Sequence, residues 1–282
     1  MIPHILHLYW GGGRVSFLQY LTVLTFKTHN PDWEVWLWYP KEPNNQPPDW
    51  ASGEQSTSYI GDDFSDKLQS MCEYKEIDLR NIGLPYHLHE IQRSDYVRCY
   101  LLYEYGGVWS DIDFLFIRPI DKLLENDFNY TISYQGFWSN GFIISRPKQQ
   151  VMIDLMQEII RRIRVNHKDD YQSLGTRVYA NLFKNYETMV LKYPNDKIYN
   201  LPSQIVYPYS PETDYDGVYS TDIERMFYGN TDKTTNETIG FHWFNGHPLA
   251  KKYQNNMRDY LDNGSIVSKI VKEYYVFNNN AD

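Results

Sequence analysis

Short apolar runs with a two-residue period alternate with helical patterns through the first part of the chain. HILHLYW (4–10) is closed by Gly11, Gly12 and Gly13, which predicts a buried strand ending in a flexible turn. Phe17, Tyr20, Leu21, Leu24 and Thr28 recur at helical spacing over 16–30, with Ser16 as the N-cap and Pro31 as the stop. WEVWLWYP (33–40) alternates and is rich in β-formers, so it predicts a second strand. Strand, short crossover helix and strand together open a parallel α/β sheet. Residues 41–66 are polar and turn-rich and read as a loop, and YKEIDLR (74–80) predicts a third strand. The clearest helix spans 87–105 and ends on Gly106 and Gly107. VWSDIDFLFI (108–117) follows as one strand, stopped by Arg118 and Pro119.

Beyond it, YTISYQG and GFIISRP predict two short strands around a polar turn at Ser139 and Asn140. An amphipathic helix over 149–166 precedes a shorter one near 175–185, a Tyr/Pro-rich stretch at 198–211 and a polar loop at 212–238. TIGFHWF (238–244) predicts the last strand, and two helical segments close the chain. With no internal repeat and no low-complexity linker, one domain over 1–282 is expected, in two halves at 1–147 and 148–282.

Composition adds three points. The 282 residues suffice for a sizeable core, and 42% hydrophobic with 22% charged residues describes a folded chain. Aromatic residues reach 17%, including 26 Tyr and 8 Trp, a surplus that suits stacking on flat bases and sugar faces as well as a core. The formal charge is −9 with no basic stripe, which argues against a nucleic-acid partner. Cys72 and Cys99 lack metal-ligand spacing and read as reduced core thiols. MIPHILHLYW has no basic stretch or cleavage site, and no apolar run reaches membrane-spanning length, so a soluble, cytoplasmic protein is expected.

The candidate chemistry lies in GGVWSDIDF (106–114). In a continuous strand Asp111 and Asp113 share a face with Trp109. Two carboxylates this close repel unless one takes a proton or a cation sits between them, and oxygen ligands suit Mg²⁺ or Mn²⁺. A bare D-x-D is common as a pair of solvated aspartates. Upstream, however, Asp95 and Arg98 stand at i and i+3 on the long helix that leads into the glycines, so the features form one block. GGGR lacks the Lys-Ser/Thr ending of a phosphate-binding P-loop.

SDYVRCYLLYEYGGVWSDIDF resembles the DxD signature block of retaining glycosyltransferases of the GT-A fold. The resemblance is to the group containing yeast-type initiating α-mannosyltransferases, capsular polysaccharide sugar transferases and the large clostridial glucosylating toxins. IPHILHLYWGGG is similar to that family's first strand, Asn30-Pro31-Asp32-Trp33 to its N-P-x-[WY], SNGFIISRP (139–147) to its asparagine segment, and GFHWFNGHP (240–248) to its C-terminal histidine motif. The likeness is strong over 1–38 and 87–147 and weak elsewhere.

It implies a GT-A (Rossmann-like) α/β fold with a mixed, mainly parallel central sheet, flanking helices and helical C-terminal additions. It further implies a retaining hexosyltransferase using Mn²⁺ or Mg²⁺ and a nucleotide-sugar donor, UDP-sugar favoured and GDP-mannose the other choice, with a glycan, lipid-linked or protein acceptor. Asp113 would ligate the metal directly, and Asp111 would bind it through water or hold the ribose and sugar hydroxyls. His242 is the implied third metal ligand or diphosphate contact, with His247 and Asn245 close behind. Asp95 and Arg98 match the pair that holds sugar hydroxyls, and Asn140 lines the sugar-acceptor side. Trp10 matches the aromatic that stacks on the base, with Leu8 and Tyr9 beside it on the strand. Trp109 stands where the family has a tyrosine at the ribose. His7 reads as a hydrogen-bonded core residue. Where many relatives carry Gly-Pro, this chain has Gly175-Thr176, so the acceptor side, expected within 165–238, differs there. The alternative is an inactive relative that keeps the site for binding. The intact Asp95, Arg98, Asp111 and Asp113 weigh against it.

Overall fold

The computed structural model describes residues 1–44, 59–85, 88–166, 172–211 and 221–279. β1 (Ile5–Tyr9), α1 (Phe17–His29) and β2 (Glu34–Pro40) form the expected opening unit. There follow α2 (Ser65–Met71), β3 (Glu73–Ile77), α3 (Glu90–Glu104), β4 (Gly107–Ser110), β5 (Phe114–Phe116), α4 (Asp121–Leu124), β6 (Tyr130–Tyr134), β7 (Trp138–Ser139) and β8 (Phe142–Ser145). The remainder is mostly helical: α5 (Gln150–Arg164), α6 (Thr176–Leu182), α7 (Tyr186–Lys192), β9 (Ile198–Asn200), α8 (Ser203–Val206), α9 (Thr221–Tyr228), β10 (Gly240–His242), α10 (Pro248–Asn255), α11 (Met257–Tyr260) and α12 (Ile266–Asn279). Parts of two expected loops, 45–58 and 212–220, and the first residue of the expected helix at 87 lie outside the described residues.

The main sheet runs β3-β2-β1-β4-β8-β6-β7, with β9 on β6. β3, β2, β1 and β4 are mutually parallel, and β8 runs against both β4 and β6. β6 therefore shares the direction of β4, and β9 is parallel to it. The architecture is mixed α/β with a mainly parallel central sheet and flanking helices. Side chains alternate between its faces. Leu6, Leu8, Val35, Leu37, Val108 and Ile144 enter one core with α1, while Tyr9, Trp38, Trp109 and Ile143 enter a second with α3 and α5. No helix among the described residues is long and apolar enough to cross a membrane.

Ser16 caps α1 and forms a reciprocal capping box with Gln19. That helix is buried on most of its circumference, so Leu24 and Thr28, placed on the inner face by spacing alone, are half-buried and exposed. α9 falls in the stretch read as a polar loop. Its Ile223, Met226 and Phe227 are a short apolar face within many polar residues. β9, α7 and α8 were likewise not legible as elements.

The expected strand over 108–117 is the main correction. It is two strands, and residues 111–113 are the link between them. β4 pairs with β1 and β8, whereas β5 leaves that sheet to pair antiparallel with β10. The change of partner breaks the ladder at the aspartates and turns them toward β10.

Two glycines make the approach to this link. Gly106 and Gly107 have φ of 66° and 97°, and a Cβ on Gly107 would lie 2.6 Å from the Ile5 carbonyl oxygen. The Gly106 carbonyl accepts from His7 Nε2 (2.8 Å), while His7 Nδ1 accepts from Trp38 Nε1 (3.1 Å). Both ring nitrogens of His7 are thus committed in a fully buried, neutral ring, and burial pushes its pKa from 6.5 down to about 4. The unfolded chain takes up this proton below pH 6.5 and the folded protein does not. The His7 contribution is therefore complete above pH 6.5 and lost as pH falls toward 4, a change of about 3 kcal/mol. The expected result is a His7 ring resonance that does not titrate between pH 8 and 5, and a midpoint near 6.5 contradicts it.

Candidate active site

The carboxyl ends of β1 and β4 open onto a cleft of about 1170 Å³, the place where parallel sheets collect ligands. Trp10 and Tyr9 line it at the first of these ends, and Asp111 and Asp113 at the second, together with Asp95, Arg98, Asn140 and His242.

The carboxylate–imidazole group is built by the pairing of β5 with β10, which sets His242 opposite Phe114 and beside the aspartate link. His242 Nε2 lies 3.0 Å from Asp113 Oδ1 and 3.6 Å from Asp111 Oδ2. Its Nδ1 accepts the Phe244 N–H at 3.2 Å, which aims the other nitrogen at the carboxylates. Asp113 Oδ2 accepts the Asn245 N–H at 2.7 Å, and the Asn245 side chain is held by Gln254 Nε2 at 3.0 Å. Asp113 and His242 are buried, and Asp111 is partly open to the cleft. Burial would lower the His242 pKa, but the charges of Asp113 and Asp111 outweigh it and raise it to about 10. This is the electrostatic demand of two carboxylates for a positive charge between them.

These three residues fit a divalent ion. Each offers one ligand atom, and the three atoms lie within 4.8 Å of one another. Two carboxylate oxygens and an imidazole nitrogen suit Mn²⁺ or Mg²⁺ and leave coordination positions for oxygens of a ligand. Gly141 permits this closeness: a Cβ there would be 2.7 Å from Asp111 Oδ2 and 3.2 Å from His242 Cδ2.

Arg98 organises the second end. Its Nη2 meets Asp95 Oδ1 at 2.9 Å and Asp111 Oδ1 at 3.5 Å, and Nη1 donates to the Asn140 carbonyl at 2.6 Å. The guanidinium also lies over the Trp109 ring, 5.1 Å from its centre. It is a clasp between α3, the aspartate link and the β7–β8 turn. Burial would raise the Asp111 pKa, but Arg98 first and then His242 outweigh it and hold it below the ordinary carboxylate value. At Asp95 burial prevails over the pull of Arg98 and lifts the carboxyl to about 7. Asp95 Oδ1 also receives Asn140 Nδ2 at 3.4 Å.

At the first end Trp10 is half-buried, its indole nitrogen bonded to the Gly13 carbonyl at 3.1 Å. The Tyr9 hydroxyl donates to Glu90 Oε2 at 2.5 Å, and Glu90 Oε1 accepts from Asn44 N and Arg93 Nη1. This half-buried carboxylate ties β1, the segment that follows β2 and α3 into one wall.

Of the expected residues, Leu8 and His247 stand outside the cleft lining, and Trp109 lines it as a support. Leu8 is sealed in the core beneath the sheet, because strand alternation sends it to the face opposite Tyr9. His247 does not line the cleft. Its Nδ1 caps α10 by accepting the Leu249 N–H at 3.2 Å. Trp109 is a support for Asp111: its Nε1 donates to Asp111 Oδ1 at 2.9 Å from a fully buried ring. The sequence marks Gly175 only as a departure on the acceptor side and does not single out Tyr207 within 165–238; both line the cleft. A Cβ on Gly175 would be 2.9 and 3.0 Å from the two Asp95 oxygens, so a glycine lets the turn before α6 close over that carboxylate. Both residues reach the cleft through contacts distant in sequence, and no local pattern marks them.

Comparison with known proteins is consistent with this geometry. Residues 85–240, more than half of the chain, match the family model for capsular polysaccharide synthesis proteins. The chain belongs to this family. Residues 19–129 match a second model, the glycosyltransferase sugar-binding region containing the DXD motif, and Asp111 and Asp113 are that motif here. The chain is thus a member of a glycosyltransferase family with a DXD sugar-binding region. Inositol phosphoceramide mannosyltransferase 1 of Schizosaccharomyces pombe is 24% identical over 220 residues. That match takes in 75% of this chain and 59% of the relative, so the chain spans little more than half the relative's length. Among solved structures, the PaToxG glycosyltransferase superposes with a TM-score of 0.48 at 14% identity, over 69% of this chain and 71% of the other. The galactosyltransferase LgtC, in complex with donor and acceptor sugar analogs, does so with a TM-score of 0.42 at 12% identity, over 85% and 87%.

Proposed function

We propose that this protein is a retaining, metal-dependent hexosyltransferase of the GT-A type, moving a hexose from a nucleotide sugar to a carbohydrate-bearing acceptor. The observation that carries the reading is the meeting of Asp111, Asp113 and His242 in a cleft that Trp10, Asp95 and Asn140 also line. The base stacks on Trp10, the diphosphate lies at the aspartates, and the hexose hydroxyls face Asp95 and Asn140. Asp111, Asp113 and His242 would hold a divalent ion, which when bound would supply Lewis-acid stabilisation to the diphosphate leaving group. Arg98 keeps Asp95, Asp111 and Asn140 in one arrangement, so little reorganisation is needed when charge develops. Retention follows from attack on the face the diphosphate leaves, within a short-lived ion pair. Residues 1–147 form the donor half, and 148–282 supply His242 and the acceptor side.

A UDP-sugar is the favoured donor. The mannosyltransferase relative supports GDP-mannose as the one to test beside it. The experiment is to incubate the protein and Mn²⁺ with UDP-glucose, UDP-galactose, UDP-N-acetylglucosamine or GDP-mannose, and to follow release of UDP or GDP. Release from one nucleotide class, abolished by a chelator, is expected, with the anomeric configuration of the product retained by NMR. No release from any donor, or inversion, would overturn the reading.

A further inference from the structure

Tyr207 is a polar residue of the cleft that neither the metal centre nor the sugar end accounts for. It follows α8, and its ring stands 6.0 Å from the His242 imidazole at an interplanar angle of 38°. Its hydroxyl oxygen is enclosed and makes no hydrogen bond in the protein. The Phe142 N–H is turned toward it and can only donate, so the phenol's own proton is left without an acceptor. Leaving a buried donor unpaired costs stability, and each such group in a folded protein calls for a reason. Trp243 Nε1, Gln149 Oε1 and Gln254 Oε1 are also buried without partners, but those residues lie outside the cleft lining, whereas Tyr207 belongs to it.

The direction of the hydroxyl is given by Gly141. A Cβ built there would touch Asp111 Oδ2 at 2.7 Å, His242 Cδ2 at 3.2 Å and the Tyr207 hydroxyl at 3.2 Å. The phenol therefore stands beside the carboxylate–imidazole group. A ligand arriving there brings anionic oxygen. A second cationic side chain at this position would pair with Asp111 and compete with a metal. A phenol adds a donor without adding charge.

We propose that the Tyr207 hydroxyl donates a hydrogen bond to the diphosphate of the donor, and that it is a catalytic residue because this bond strengthens as negative charge collects on the departing oxygen. The assignment rests on the function proposed above. Tyr207→Phe removes the hydroxyl and keeps the ring. Binding of UDP and of GDP in Mn²⁺, measured by calorimetry, should weaken about tenfold in the variant for whichever nucleotide the wild type binds, the scale of a hydrogen bond to a charged group. Turnover of the matching donor should fall by about tenfold to a hundredfold. The melting temperature of the unliganded variant should be equal or higher, because an unpaired buried donor has been removed.

Unchanged nucleotide affinity and unchanged turnover would overturn the assignment. So would a lower melting temperature accompanying the loss, since the hydroxyl would then be holding the fold. Wild-type protein that binds neither UDP nor GDP would overturn the functional reading, and this assignment with it. Binding by the wild type that is undiminished in the variant, with turnover also unchanged, overturns this assignment alone.

Discussion

Replacing Asp113 with asparagine is expected to lower turnover about a hundredfold or more while leaving the fold intact. Asparagine preserves the shape of the side chain, and its carbonyl oxygen can still accept the Asn245 N–H that Asp113 Oδ2 accepts at 2.7 Å. The amide then faces His242, where Oδ1 stood 3.0 Å from Nε2. What disappears is one of two negative charges that hold a divalent ion, and the loss of such a stabiliser costs two to three orders of magnitude. Steady-state release of nucleoside diphosphate in saturating Mn²⁺, with a melting curve as control, makes the check. Turnover within a fewfold of wild type would remove the metal role from Asp113.

The second large effect is one of stability. Arg98→Ala should destabilise the protein by about 3–5 kcal/mol, the range for removing one partner of a buried ion pair. Arg98 is 4% exposed and Asp95 5% exposed, so the alanine variant leaves a carboxylate and the Asn140 carbonyl in the interior without their donor. Lysine should not rescue it, because one ammonium cannot span Asp95, Asp111 and the Asn140 carbonyl as the guanidinium fork does. Urea unfolding of the three proteins decides the matter. A loss below about 1 kcal/mol in Arg98→Ala would mean that the clasp is not what holds these groups.

That role for Arg98 marks a boundary of what the sequence made legible. Spacing put Asp95 and Arg98 on one helical face and predicted a shared task, and the structure does bring them together. It also shows most of the Arg98 donors already used within the protein, which spacing on a single helix cannot reveal. The opening β1-α1-β2 unit, the long α3 and its glycine stop were legible because each is written in a local period or a local cap. The aspartate link was misread for the opposite reason. VWSDIDFLFI has the composition of one strand, and only the competition between β8 and β10 for its two ends breaks it.

The supporting residues divide the same way. Trp109 looks like a ligand contact by position, yet its indole nitrogen is taken by Asp111, a pairing two residues apart that needs the link to bend. His247 lies beside a motif and is used as a helix cap. Tyr207 and Gly175 sit in stretches whose local patterns say little, and they reach the cleft only because α8 and the turn before α6 fold back over it. Residues that carry charge were found from type and spacing. Those that shape the space around the charge were not.

The most direct test of the account is a thermal-shift panel of the wild-type protein with UDP-glucose, UDP-galactose, UDP-N-acetylglucosamine and GDP-mannose, each with Mn²⁺ and with chelator. Ligand at one hundred times its dissociation constant stabilises by about 2.7 kcal/mol, enough to read as a shift. The account predicts a rise in melting temperature with one nucleotide class, present with Mn²⁺ and absent with chelator. No rise with any donor, or one that survives removal of the metal, would contradict it.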